Sequence, residues 1–210
     1  MNIKLRLEEK NDYRAVEELT REAFWNWFIP GCDEHLLVHN LRKSKEFIRD
    51  LSYVAVLDEK IVGNIVYVES KIIGSDKTHT VLTFGPISVL PEYQNKGIGS
   101  KLIEYTTQLS KKMGYKAIII YGYPEYYERF GFEVSKKYKI TNKEHKYPSA
   151  LLIYELFPNA LFGINGIFDE GDVYKIDAEE LEEFDKKFSK KEKLITESQE
   201  RFRLKQEEYL

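Results

Sequence analysis

A single cysteine, Cys32, in 210 residues excludes a disulfide framework within the chain and any multi-cysteine metal centre, so no metal ion is expected. No apolar run approaches the roughly 18 residues of a membrane span, and no N-terminal apolar stretch has the form of a signal peptide. The expectation is a cytoplasmic protein that does not enter a membrane. Charge of one sign is also scarce, because 32 Lys and Arg stand against 35 Asp and Glu for a net charge of −3. That balance offers no global attraction to nucleic acid or to an anionic membrane and slightly favours basic partners. Internal repeats and low-complexity segments are lacking. What the chain does have is 42% hydrophobic residues with 14% aromatics, enough to build a substantial core and to argue against disorder.

Periodicity orders the elements. Asn2 to Leu7 alternates as a strand, and Asn11 or Asp12 can cap a helix whose inner face is Val16, Leu19, Ala23 and Phe24. An aromatic loop, Phe24-Trp25-Asn26-Trp27-Phe28-Ile29-Pro30-Gly31, follows, and Asp33 can cap a second helix through Leu36, Leu37 and Leu41. The two tryptophans either fill the gap between helices and sheet or line a ligand pocket. Tyr53 to Leu57, Ile61 to Ile73 and Thr78 to Val89, separated by short polar turns, read as an antiparallel meander. A helix with Ile98, Leu102, Tyr105, Leu109 and Met113 on one side then crosses, past a Gly114 stop, to the apolar run Ala117 to Tyr121. Hairpins joined to a crossover predict an α/β fold (α+β by some labels) with a mixed sheet.

The junction between the meander and that helix, Gln94-Asn95-Lys96-Gly97-Ile98-Gly99, has the form of a pyrophosphate cradle. The first N–H groups of a helix lack intrahelical partners and its dipole is positive there, while glycines let a ligand approach the backbone. A dinucleotide fingerprint would need a third glycine where Leu102 stands. A nucleotide-triphosphatase loop would need its lysine after the glycine, whereas Lys96 precedes Gly97. A tight turn without a ligand is the plain alternative.

Gln-x-x-Gly-x-Gly after a strand carrying Gly85-Pro86-Ile87-Ser88-Val89 resembles the coenzyme A signature of the GNAT superfamily of N-acetyltransferases. A second stretch, Tyr121-Gly122-Tyr123-Pro124-Glu125-Tyr126-Tyr127-Glu128-Arg129-Phe130-Gly131-Phe132, is similar to the segment where that family runs from its fifth strand through a short helix into Gly-Phe. The resemblance covers about residues 1–156 and implies a mostly antiparallel twisted sheet flanked by helices. It also implies acetyl-CoA as cosubstrate, with Ile87, Ser88 and Val89 pairing the pantetheine arm and Gln94 to Gly99, continuing to Ser100, holding the pyrophosphate. Gly85-Pro86 suits a bulge that splays the strand from its neighbour. Lys96 either adds charge near a phosphate or is solvated.

Acetyl transfer needs an uncharged amine in position, stabilisation of an oxyanion and a proton for the departing thiolate. The resemblance implies Tyr127 for the last task, with Tyr126 as its neighbouring alternative; a phenol with an ordinary pKa stays protonated at neutral pH. Where histone-acetylating relatives carry a basic glutamate, eleven residues before Gln94, this chain has Thr83. That departure leaves Glu69, His79, Glu125, His145 or a water near Thr83 as proton acceptors. It also motivates a second reading, a non-catalytic coenzyme A-binding sensor or interaction module. The acceptor is expected to be a primary amine on a small molecule or a protein.

Ser149 to Leu156 reads as a further strand, and the Glu155-Leu-x-Pro-x-Ala-Leu-x-Gly163 pattern resembles a bacterial GNAT subgroup of predicted acetyltransferases. Residues 157–176 are expected to close the sheet and cover an edge. In the charged tail, residues 177–210, Leu181, Phe188, Ile195, Phe202 and Tyr209 recur every seven residues, while Phe184, Lys191, Ser198 and Lys205 between them are mostly polar. This predicts a helix or helix pair docked by a narrow stripe, on its own domain or on a second subunit, in a monomer or homodimer.

Overall fold

Apolar runs long enough for two buried faces occur only in the middle of the chain, and they form the centre of one sheet. The computed structural model describes residues 2–206 and 208–210, the side chains of Lys205 and Gln206 excepted. In chain order its elements are β1 (Lys4–Leu7), α1 (Tyr13–Phe24), α2 (Glu34–Leu41), β2 (Tyr53–Leu57), β3 (Lys60–Ile73), β4 (Thr78–Val89), α3 (Ile98–Lys112) and β5 (Ala117–Tyr121). A short α4 (Pro124–Tyr127), then β6 (Glu133–Val134), β7 (Ile140–Thr141), β8 (Leu151–Glu155), β9 (Gly166–Asp169), α5 (Ala178–Asp185) and α6 (Glu197–Gln206) complete them. The strands lie in the order β1-β2-β3-β4-β5-β8-β6, and all neighbours along that path are antiparallel except β4 and β5. This is the mixed, mostly antiparallel α/β sheet expected from hairpins joined to one crossover.

Successive residues of a strand face opposite sides, and the helices cover both. Ile65, Tyr67, Leu82, Ile118 and Ile120 pack with Ile98, Leu102 and Ile103 of α3. Val54, Val66 and Val68 pack on the other side with Val16, Val38 and Leu41 of α1 and α2. Arg42, just after α2, donates to Glu8 at 2.6 Å and to Glu17 at 3.0 Å, and so ties both helices to the loop after β1. Asp12 and Asp33 precede α1 and α2 as expected, but neither side chain caps its helix. Asp12 instead accepts from Arg6 and from the Glu9 N–H, which competes for the same oxygens.

Two irregularities position the site. In the β3–β4 ladder Tyr67 faces Phe84 and Ile65 faces Ile87, so Gly85 and Pro86 together oppose Val66, a bulge that bends β4. β4 and β5 pair only at Leu82 and Ile118. Past that point Gly85 to Ile87 and Tyr121 to Tyr123 face cavities instead of one another.

β9 pairs with the far end of β3 through Lys71, Ile72 and Ile73 and covers an edge that β2 is too short to reach. The tail forms two helices and docks on its own domain through only part of the expected stripe, Phe188 against His35 and Phe202 against Phe28. Ile195 is 91% exposed while Phe184, placed between the stripe positions, is 5% exposed. The reason is that α5 stops at Asp185 and α6 starts at Glu197, so no continuous helical face carries the seven-residue period. Local polar contacts hold the rest of it. The Trp25 indole N–H donates to the Glu192 carbonyl at 2.9 Å, and Asn26 bonds with Glu192, Leu194, Thr196 and Gln199. The chain end then pairs with a loop after β7, Ser149 N–H donating to the Glu208 carbonyl and Leu210 N–H to the Tyr147 carbonyl, each at 2.9 Å.

Candidate functional site

Gly97 is the residue before α3 and has φ +79°, and Asn95 two positions earlier has φ +59°, so the loop turns through the left-handed region twice. The first intrahelical bond runs from Lys101 N–H to the Gly97 carbonyl, which leaves the N–H groups of Ile98, Gly99 and Ser100 without intrahelical acceptors. A Cβ on Gly97 would point into open space, and one on Gly99 would lie 3.0 Å from the Tyr126 hydroxyl.

These N–H groups border a cavity of about 590 Å³. Gln94, Asn95, Gly97, Ile98, Gly99 and Ser100 line it, as do Ile87, Ser88 and Val89 of β4 and Tyr127. Lys96 does not: its ammonium donates to the Glu92 carbonyl at 2.7 Å and sits over the Tyr93 ring. The Gln94 amide donates to the Val89 carbonyl at 3.1 Å, and the Ser88 hydroxyl donates to Thr20 at 3.2 Å, so the Ser88 side chain faces the helices and its main chain faces the cavity rim. On one edge Ile87 to Val89 pair with β3; among the described residues no strand pairs the other edge.

A second cavity, about 620 Å³, opens on the other side of the same wall. Phe24, Phe28, Ile87, Tyr123 and Tyr127 line both. Tyr127 is held by aromatic contacts with Phe84, Tyr126 and Phe132, and a Cβ on Gly122 would lie 2.4 Å from its ring. Burial pushes its phenol well above the ordinary value, and its hydroxyl has no hydrogen-bond partner among the described residues. A protonated, unpartnered phenol therefore stands where the two cavities meet.

Of the candidate proton acceptors, Glu69, His79, Glu125 and His145 line neither cavity, and Glu69 accepts from the Tyr115 phenol at 2.7 Å. Thr83 does line the second cavity, with its hydroxyl accepting from Ser70 at 2.5 Å. The carboxyls on that wall are Asp33, Glu34, Glu144 and Glu170, which periodicity alone did not single out. Only their place after the aromatic loop could have marked Asp33 and Glu34. Burial, and then the Asp33 charge beside it, pushes Glu34 up to about 8; burial also raises Asp33 and Glu170. The two tryptophans divide: Trp27 lines the first cavity, half exposed, and Trp25 lies against the tail beneath Arg21.

One further cluster has the outline of a nucleophilic triad. Cys32 Sγ is 3.4 Å from His35 Nδ1, and His35 Nε2 is 3.2 Å from Asp185. Cys32 and His35 are 4% and 0% exposed and line neither cavity. Burial raises the thiol and lowers the imidazole to about 4, so neither a thiolate nor an approach for a substrate exists. The cluster packs the tail onto α2.

Residues 49–134 match the profile of the acetyltransferase (GNAT) domain. The chain is 30% identical over 125 residues to the uncharacterized N-acetyltransferase YjhQ of Escherichia coli K12, an alignment covering 60% of this chain and 66% of that protein. It is 26% identical over 166 residues to the uncharacterized N-acetyltransferase YhbS of the same organism, covering 79% of this chain and 94% of YhbS. The crystal structure of YhbS in complex with CoA superposes with a TM-score of 0.73 at 22% identity, over 83% of this chain and 92% of that one. A GNAT family acetyltransferase from Brucella melitensis in complex with acetyl-CoA gives 0.66 at 25% identity, over 83% and 99%. With the same sheet and the same domain match behind its glycine loop, the chain belongs to the GNAT superfamily of N-acetyltransferases.

Proposed function

We propose that the protein transfers the acetyl group of acetyl-CoA directly to a primary amine within a ternary complex. The observation that carries this reading is the meeting of two cavities at Tyr127, one bordered by a helix N-terminus and a free strand edge, the other acidic and aromatic. The N–H groups of Ile98, Gly99 and Ser100 suit a pyrophosphate, and the free edge of Ile87 to Val89 suits the amides of the pantetheine arm. Lys96 is left out of this binding set, because its ammonium is bonded back to Glu92. The amine nitrogen forms the new C–N bond as the C–S bond breaks, and the Tyr127 phenol protonates the departing thiolate. The ammonium proton leaves through the acidic wall of the second cavity. Acetyl-CoA supplies the activated thioester; the protein contributes position and protons.

Calorimetric titration with acetyl-CoA, NADH and ATP tests the cradle: stoichiometric binding of acetyl-CoA alone is expected, and its absence would sink the reading. Tyr127→Phe should retain coenzyme binding and lose turnover by about 10²–10⁴-fold, the range of general acid catalysis. The non-catalytic module, which Thr83 favours by being unable to accept a proton, predicts binding without turnover in both forms.

A further inference from the structure

The second cavity carries more carboxyls than the acceptance of one proton in acetyl transfer requires. Asp33, Glu34, Glu144 and Glu170 line it, and among the described residues no Lys, Arg or His does. A reacting amine must be neutral at the thioester, so it needs no standing set of anions. Burial pushes three of these carboxyls upward, with Lys143 partly offsetting the shift at Glu170, and Glu34 ionises near neutral pH only when a cation is bound beside it. Nearby cations are engaged outside the cavity: Lys143 pairs with Asp169 at 2.7 Å, and the Lys146 ammonium lies over the Tyr209 ring at 4.4 Å. The rest of the wall is aromatic, with Phe28 stacked on Tyr123 at 6.5 Å. Carboxyls among aromatic faces, with no cation on the described wall itself, are the complement of an organic cation.

The size of the ligand follows from the tail. Phe202 and Tyr209 line the same cavity, and the segment holding them is bonded to Tyr147 and Ser149. With this segment as one wall, a cavity of about 620 Å³ matches a small molecule.

We propose that the acceptor is a small alkyl diamine, one nitrogen presented to the thioester beside Tyr127 and the second, as an ammonium, held by the acidic wall of Asp33, Glu34, Glu144 and Glu170. Its role as acceptor rests on the acetyl-transfer reading. The test is calorimetric titration of the CoA-saturated protein with 1,4-diaminobutane and with butylamine at one pH and ionic strength, for the wild type and the Glu144→Gln, Glu170→Gln double variant. The diamine should bind at least about tenfold more tightly than the monoamine, and the double variant should bring the ratio below about threefold. Equal affinities in the wild type overturn the proposal. Product analysis with both amines separates this failure from the other one. Acetylated products without diamine preference remove the dication site and leave acetyl transfer. Selective diamine binding with no acetylated product removes acetyl transfer and leaves the site.

Discussion

The Phe202 ring of α6 lies 4.2 Å, centroid to centroid, from the Phe28 ring of the aromatic loop. Phe28 belongs to both cavities and Phe202 to the second, so the tail completes the wall on which an acceptor would rest. Phe202→Ala removes that wall and leaves the glycine loop untouched. Acceptor KM should rise by roughly tenfold, about 1.4 kcal/mol, with acetyl-CoA affinity unchanged. Steady-state kinetics with each substrate varied in turn checks this, and an equal loss for both substrates would mean that the tail supports the whole fold instead.

Gly122 lies under the Tyr127 ring. A methyl group there would sit 2.4 Å from a ring carbon, so Gly122→Ala must shift the ring while keeping its hydroxyl. If Tyr127 acts by position, kcat should fall by about 10-fold to 10²-fold with a smaller change in KM for acetyl-CoA. Unchanged kcat would separate the phenol from the chemistry.

Glu34 places stability and pH in opposition. Its folded-state pKa, pushed up to about 8 first by burial and then by Asp33, lies above the ordinary 4.5. Between those values the folded protein keeps a proton that the unfolded chain has lost, so stability falls as pH rises through that window. Glu34→Gln avoids the cost. The variant should melt about 4–8 °C higher than wild type at pH 8.5, roughly 2 kcal/mol, with the gap closing near pH 5. Differential scanning calorimetry at the two pH values reads it.

His35 slopes the other way. Burial lowers its imidazole to about 4, below the ordinary 6.5. On acidification the unfolded chain binds this proton first, so stability should drop by on the order of 3 kcal/mol between pH 6.5 and 4. Urea unfolding across that range measures the slope, and His35→Gln should flatten it.

The glycine loop, the meander and the crossover were legible because each is local: a helix start, a period of two, a turn residue at a fixed offset. The bulge at Gly85-Pro86 was legible for the same reason. Illegible were the partners of isolated polar residues. Lys96 stands one residue from Gly97, yet Glu92 claims its ammonium, and Glu69 stands in a central strand but faces Tyr115. The tail was legible only in part: two helices form, as in the helix-pair reading, but residues 186–196 between α5 and α6 are held by the Trp25–Asn26 loop, so no single face carries the seven-residue period.

By itself, the sequence determined the order of elements, the mixed sheet with its helices and the glycine turn that opens α3, since these follow from periodicity and backbone chemistry over a few residues. Only the tertiary structure decided where the second cavity opens and what lines it. Its acids come from the start of α2, the loop after β7 and the end of β9, and its aromatics from the first loop, the β4 and β5 strands, the α4 segment and the tail. No local pattern relates segments so far apart; packing across the parting of β4 and β5 brings them together.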